Sequence, residues 1–393
     1  MHIALVTHRF VRGDGQGRVN LEIAQAALRR GWRVTLISSE VAPELLAYGN
    51  AAWVRVDAAA WPTELIRNQV FAIRAGAWLR RHRSEFDLVH GNGFVSWAVT
   101  DVSSSHFVHS AWVRSPLHTW RVRRDLYGAY QLLYSHLGEV LELWAYRRSR
   151  VVVAVSEQVR RELIASGVPG DRVRVIPNGV DIEEFKPDAL SAADLGLPTG
   201  RRVLFVGDLK TSRKNLDTVL RAMAHVDATL LVVGDACGSH YPRLAGELGV
   251  LSRTRFLGFR RDIPALMRAA DLFVFPSRYE PSGLVLFEAA ASGLPIIASR
   301  SAGGTEVLGA EACVLIDDPE DDVALARSMR TLLESPLELQ RLRLAARRAA
   351  VAHSWHAMAE RYVQLYCELL SSDCPLDNRG PQEHGGLGSE LPK

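Results

Sequence analysis

Short apolar runs of strand length recur along this chain, most stopped by glycine, proline or a small polar residue and followed by helical periodicity. That alternation restricts the fold to parallel sheets with helices packed on their faces. Ile3–Val6 leads into a loop with Gly13, Gly15 and Gly17, a helix from about Val19 to Arg30, and a second strand at Arg33–Ser38. Leu21, Ala24, Ala27 and Leu28 give this helix its apolar stripe, and Gly31 ends it. Strands at Asp87–His90, Asp101–Ser105, Val151–Val155 and Val173–Ile176 continue the first series. Val203–Val206, Leu230–Val233, Arg255–Gly258, Asp271–Phe275, Ile296–Ala298 and Cys313–Ile316 form a second. A chain of 393 residues is too long for one ordinary core. Two doubly wound α/β domains facing a cleft are therefore predicted.

The boundaries follow from turn chemistry. Pro177-Asn178-Gly179 is a turn signal, and the polar stretch 181–200, with Pro187 and Pro198, reads as a linker. It separates an N-terminal domain at 1–180 from a C-terminal domain at 201–352. Arg327 to Ala350 is helical and highly charged, and an amphipathic helix at 353–370 is expected to pack back on the first domain. Residues 371–393 are rich in Gly and Pro and nearly free of apolar side chains, so a disordered tail is expected. A net charge of +3, from 47 basic and 44 acidic residues, argues against a general nucleic-acid binder. Four scattered cysteines without a CxxC pair argue against a disulfide framework or zinc site and fit a cytoplasmic setting. No apolar run reaches membrane-spanning length, so any membrane contact is expected to be peripheral.

The chemistry concentrates in Asp271–Ser299, a strand–loop–helix–strand unit carrying Glu280 in its loop and Glu288 in its helix. Glu288 is the only charge between Gly283 and Arg300, in a helix apolar nearly all round. Buried there, it needs a partner or carries a desolvation cost of roughly several kcal/mol; otherwise it reaches solvent or caps a loop. Arg213 and Lys214 precede a helix and suit a diphosphate, with an exposed basic loop as the lesser alternative. The Gly13–Gly17 loop either admits an anion at a helix N-terminus or only turns the chain. His106 and His109 follow a strand end, where open α/β sheets place their ligands. In 112–150, arginines interleave with Trp112 and Trp120 ahead of a long helix from Leu126, with Tyr130, Leu133, Leu137, Leu141 and Trp144 along one face. That segment is either core-facing with a solvated basic end or a contact with an anionic membrane.

Together these segments resemble one family. YEPSGLVLFEAAASGLP looks like the E-x7-E signature of retaining nucleotide-sugar glycosyltransferases of family 4, which have the two-Rossmann GT-B fold. GDGQGR is similar to their glycine loop, with Asp14 where a glycine is common. VRVIPNGVD and VLFVGDLKTSRKN resemble their interdomain segment and diphosphate-binding loop. The resemblance implies that Glu288 binds the donor ribose, Glu280 faces the donor sugar, and Lys214 with Arg213 neutralises the diphosphate. Gly15, Gly17 and Gly207, with the Ser282-Gly283-Leu284 loop, would complete the donor site. His106 would lie beside the reacting sugar, with His109 in reserve. Asp208 departs from the arginine the family often has there, and Arg213 is the proposed substitute. The implied activity is transfer of a sugar from a nucleotide-diphosphate donor to a glycan, glycolipid or small-molecule acceptor. It needs no metal and no cofactor, and a role in glycan or cell-envelope biosynthesis is expected. The rival readings are a nucleotide-sugar 2-epimerase-like isomerase and a non-catalytic nucleotide-sugar-binding subunit.

Overall fold

The computed structural model describes residues 1–188 and 195–370, so the expected tail, and 189–194 within the linker, lie outside the described residues. The N-terminal strands are β1 (His2–Val6), β2 (Arg9–Phe10), β3 (Arg33–Ser38), β4 (Glu40–Val41), β5 (Ala51–Arg55), β6 (Leu88–Asn92), β7 (Val102–Ser105), β8 (Val151–Ala154) and β9 (Val173–Val175). Seven of them form a parallel sheet in the order β5-β3-β1-β6-β7-β8-β9, while β2 pairs with β4. Its helices are α1 (Gly15–Arg29), α2 (Pro43–Leu46), α3 (Glu64–His82), α4 (His109–Arg114), α5 (Thr119–Val122), α6 (Leu126–Arg148) and α7 (Glu157–Ala165).

The C-terminal sheet is also parallel, in the order β12-β11-β10-β13-β14-β15. Its strands are β10 (Arg202–Val206), β11 (Thr229–Val233), β12 (Thr254–Gly258), β13 (Leu272–Phe275), β14 (Ile296–Ser299) and β15 (Val314–Ile316). The helices are α8 (Leu216–Met223), α9 (Tyr241–Glu247), α10 (Ile263–Ala269), α11 (Leu284–Ala291), α12 (Gly304–Leu308), α13 (Asp322–Leu333), α14 (Pro336–Val351) and α15 (Trp355–Leu370). These are two doubly wound halves of the GT-B type. In each, strand order reverses beside the first strand, between β1 and β6 and between β10 and β13. Crevices for ligands open at the carboxyl ends of such switch points.

Three elements differ from the reading of the sequence. Helix α1 starts at Gly15, four positions before Val19, so Gly15 and Gly17 belong to its first turn. The charged stretch from Arg327 is two helices, because Ser335 caps a new start with its side chain and Pro336 occupies the first turn of α14. Leu133 is 64% exposed although Leu141, on the same expected face, is buried.

Helix α15 lies on the N-terminal core, where Met358, Tyr362 and Tyr366 pack with Ile3, Leu5 and Leu36. Its tyrosines close a buried polar chain: His90 Nδ1 lies 2.6 Å from the Tyr366 hydroxyl and His90 Nε2 lies 2.8 Å from Ser104 Oγ, 3.0 Å from the Tyr362 hydroxyl. Arg30 Nη1 donates to Glu360 at 2.7 Å and fixes α15 against α1. Cys237 is an exposed free thiol and Cys313 a buried one.

Candidate active site

The C-terminal wall of the cleft is built from the loops after β10 and β13, neighbours at the switch point. After Gly207 the chain makes a single 3-10 turn, Ser212–Lys214, and enters α8 through Asn215. Asn215 holds a left-handed backbone, φ 62°, and its Oδ1 accepts from Thr218 Oγ1 at 2.9 Å. The loop after β13 grips this turn. Arg278 N and Ser277 Oγ both donate to the Arg213 carbonyl, at 2.9 and 3.0 Å, and the Arg278 guanidinium reaches Asp217 at 3.3 Å.

That grip sets the position of Lys214. Its Nζ forms an ion pair with Glu280, both side chains only 14% exposed, and lies 4.9 Å from the centroid of Phe275. A Cβ on Gly207 would stand 3.0 Å from Lys214 Cγ, so a larger residue there would crowd the lysine. Glu280 is fixed through its backbone: its N–H donates to Ser301 O at 3.1 Å and its carbonyl accepts from Gly303 N at 2.8 Å. Gly283, at φ +76°, starts α11 in a conformation that disfavours side chains, and its missing Cβ would lie 3.1 Å from Glu280 Cγ. It provides no side-chain cap, which leaves the first turn of α11 suited to an anion.

The N-terminal domain closes on this wall. A Cβ on Gly15 would sit 2.9 Å from Leu284 Cδ1, so the glycine loop meets the start of α11 directly. Gly17 is buried, with Val11 O 3.1 Å from the position of its absent Cβ. Asn178 Nδ2 donates to Ser282 Oγ at 3.0 Å, and Ser156 Oγ donates to the Pro281 carbonyl at 2.7 Å. Tyr279, immediately before Glu280, donates its hydroxyl to Glu162 of α7 at 2.9 Å. Burial raises the affinity of Glu162 for its proton, and burial with the adjoining carboxylate raises that of Tyr279. These cross-domain contacts escaped the reading of the sequence, since partners more than a hundred residues apart leave no local pattern.

His106 follows β7 directly, and its Nε2 is buried with no partner. Burial brings its pKa down to about 4, so the ring is neutral at physiological pH. Its neighbour Phe107 packs edge-on against Tyr279, ring centroids 5.9 Å apart. Glu288 lies one helical turn beyond Leu284 and makes no side-chain hydrogen bond or ion pair among the described residues. It keeps partial exposure, yet the protein around it desolvates the carboxylate and, with the negative charge of Glu184, lifts its pKa to about 7.

Two candidates lie elsewhere. His109 starts α4 and pairs with Glu142 of α6, Nδ1 to Oε1 2.8 Å, an ionic approach too poorly aligned for a hydrogen bond. Burial lowers its proton affinity, Glu142 raises it, and the net direction is upward. Arg213 adjoins Lys214 in sequence but turns its guanidinium over the Trp112 ring, 5.9 Å from the centroid. Asp208 is exposed and accepts from Lys210 N at 3.0 Å. Among the described residues no cluster of His, Cys, Asp or Glu could hold a metal ion.

Comparison with known proteins bears on family and fold. The family described as Glycosyltransferase Family 4 matches residues 13–184, and the family described as Glycosyl transferases group 1 matches residues 200–335. The D-inositol 3-phosphate glycosyltransferase of Corynebacterium efficiens is 29% identical over 340 residues, covering 79% of this chain and 78% of that protein. Sucrose-phosphate synthase from Thermosynechococcus elongatus superposes with a TM-score of 0.75 at 24% identity, over 94% of this chain and 98% of the other. The Anabaena protein HepE in complex with UDP-glucose gives a TM-score of 0.67 at 21% identity, over 94% and 100%. At those identities the two structures speak for the fold alone.

Proposed function

Because the chain belongs to the GT-B glycosyltransferases, we propose that it moves a sugar from a nucleotide-diphosphate donor to an acceptor hydroxyl, with retention and without a metal ion. The observation that carries this reading is the Lys214–Glu280 pair, held at the switch point opposite the glycine loop. Within the protein Glu280 compensates the lysine. A diphosphate arriving at the start of α11 gives Lys214 a second, stronger anionic partner and frees Glu280 to face the sugar.

In the reaction the bond from the anomeric carbon to the β-phosphate oxygen breaks, and its electron pair leaves with the diphosphate. The acceptor oxygen forms the new bond on the same face, and its proton passes to the departing phosphate oxygen. Negative charge grows on the diphosphate, where Lys214 and the first turns of α1 and α11 stabilise it. Positive charge grows on the sugar ring beside Glu280. His106, neutral and with an open Nε2, accepts from or donates to a sugar hydroxyl. Glu288 holds the ribose.

The test is transfer from UDP-, GDP- and ADP-hexoses to a panel of acceptors, inositol 3-phosphate among them, in EDTA. The product should keep the donor's anomeric configuration by proton NMR. An inverted product rules out retention, and activity restored only by Mg²⁺ rules out the metal-free route.

A second surface supports the membrane reading of 112–150. Val122, Leu126 and Val140 are 64%, 91% and 64% exposed, and Arg121, Arg123 and Arg124 are exposed beside them. No helix among the described residues is long and apolar enough to cross a membrane. Each arginine near an anionic bilayer contributes about 1 kcal/mol, so co-sedimentation with phosphatidylglycerol vesicles at low salt is expected and should fade as salt rises. Failure to sediment at low salt removes the membrane role.

A further inference from the structure

Arg213 has no anionic partner among the described residues. Its backbone is gripped by Ser277 and Arg278, but its guanidinium makes no hydrogen bond or ion pair among the described residues, and its Nε is buried. A buried N–H with no acceptor costs free energy that a ligand oxygen would recover, and the guanidinium otherwise rests over the Trp112 ring. The guanidinium lines a cavity of about 730 Å³ between the segment spanning α4–α6 and the loops after β10 and β11, a volume suited to a small-molecule ligand. Three cations, Arg123, Lys210 and Arg213, face this space against a single carboxylate, Asp235. Arg123 is already paired with Asp125, which leaves Lys210 and Arg213 against Asp235 and the space net positive. Trp112 and Tyr127 line the same walls, Trp112 with Arg213 over its ring and Tyr127 with Arg123.

The cavity adjoins the proposed donor site without belonging to it. Arg213 is joined to Lys214 by one peptide bond but points towards Trp112. Trp112 in turn stacks on Tyr279, the neighbour of Glu280, with centroids 5.9 Å apart and planes 30° apart. A ligand anchored here by its charged end is therefore one residue away from the Lys214–Glu280 pair on two sides.

We propose that this cavity is the acceptor site and that it takes an anionic carbohydrate, a sugar bearing a phosphate or carboxylate group. Arg213 and Lys210 bind the anion, and Trp112 lines the space left for the ring. The assignment rests on the transferase reading for the word acceptor, and on the cavity alone for the ligand class. It moves Arg213 from the donor diphosphate to the acceptor.

Intrinsic tryptophan fluorescence of the full chain, with the donor site first saturated by the nucleoside diphosphate that binds it, reads the cavity through Trp112. Glucose 6-phosphate, mannose 6-phosphate and glucuronate are titrated against glucose, mannose and inorganic phosphate. At least one charged sugar is expected to quench saturably and to bind tenfold or more tighter than its neutral parent and than phosphate, a signal lost in Trp112→Phe. Arg213→Gln should weaken that ligand tenfold or more and leave the nucleoside diphosphate within twofold, while Lys214→Ala does the reverse. The proposal is overturned if no charged sugar binds, if neutral sugar or phosphate binds equally well, or if Arg213→Gln weakens the nucleoside diphosphate as Lys214→Ala does. A charged sugar that binds and is never glycosylated sinks the acceptor role and, with no other acceptor used, the transferase reading as well. Binding with Arg213 dependence would still identify the ligand class.

Discussion

Lys214→Ala is expected to lower kcat by about 10²- to 10³-fold, the loss seen when one pre-placed stabiliser of developing charge is removed. The effect should fall on kcat more than on KM. The diphosphate is already anionic in the ground state, but the charge on its bridging oxygen appears only as the bond to the sugar breaks. The substitution also strands Glu280, which is 14% exposed and whose ion-pair partner is Lys214. A buried carboxylate that loses its cation is destabilising, so the double variant Lys214→Ala/Glu280→Gln serves as a control for folding. If its melting temperature matches the native chain while its turnover stays low, the loss belongs to the chemistry. Lys214→Arg should recover only part of the rate. The planar fork cannot occupy the position of a compact ammonium packed 4.9 Å over the Phe275 ring. A wild-type rate in Lys214→Ala would remove the lysine from the leaving-group role.

The parallel strands at the centres of both sheets were legible from residue type, because strands buried on both faces read as continuous apolar runs. Edge strand β5, AAWVR, was not: none of its residues is buried, and it has one β-branched side chain. Helix α3 was passed over although Thr63 caps it with its side chain, accepting from Ile66 N. Its signal lay in that cap and in the buried stripe Phe71, Ala72, Ala75 and Leu79. At the site, Glu288 could be singled out because a lone charge in an apolar helix is a local anomaly. The Lys214–Glu280 pair joins residues 66 apart, and pairing at that distance is set by strand order, which sequence periodicity does not encode. The direction of Arg213 is lost for another reason. Neighbouring side chains on a 3-10 turn point about a third of a turn apart, so adjacent cations that read as one clamp serve two different spaces.

Glu288 gives the second large effect, and its sign depends on pH. Two hydrogen bonds from ribose hydroxyls to an ionised carboxylate contribute roughly 1.5–3 kcal/mol each, so Glu288→Ala should weaken nucleotide-sugar binding by about 10²-fold or more by calorimetry. With a folded pKa of about 7, the ionised fraction rises from about one tenth at pH 6 to about nine tenths at pH 8. Nucleotide affinity should therefore tighten about tenfold across that interval, and Glu288→Gln should flatten the dependence. Stability of the ligand-free chain moves the opposite way. The folded pKa is raised from 4.5 to about 7, so the folded state binds the proton more tightly than the unfolded state. Its contribution is fully present below 4.5 and is lost as pH rises through 7. Glu288→Gln should accordingly melt higher than the native chain at pH 8, with the gap closing towards pH 4.5. A carboxylate that merely faces water would move neither curve. One that serves as a structural cap would lose stability on substitution at every pH. Opposed trends, affinity rising while ligand-free stability falls, are the signature of a carboxylate kept desolvated for a ligand that supplies its missing hydrogen bonds.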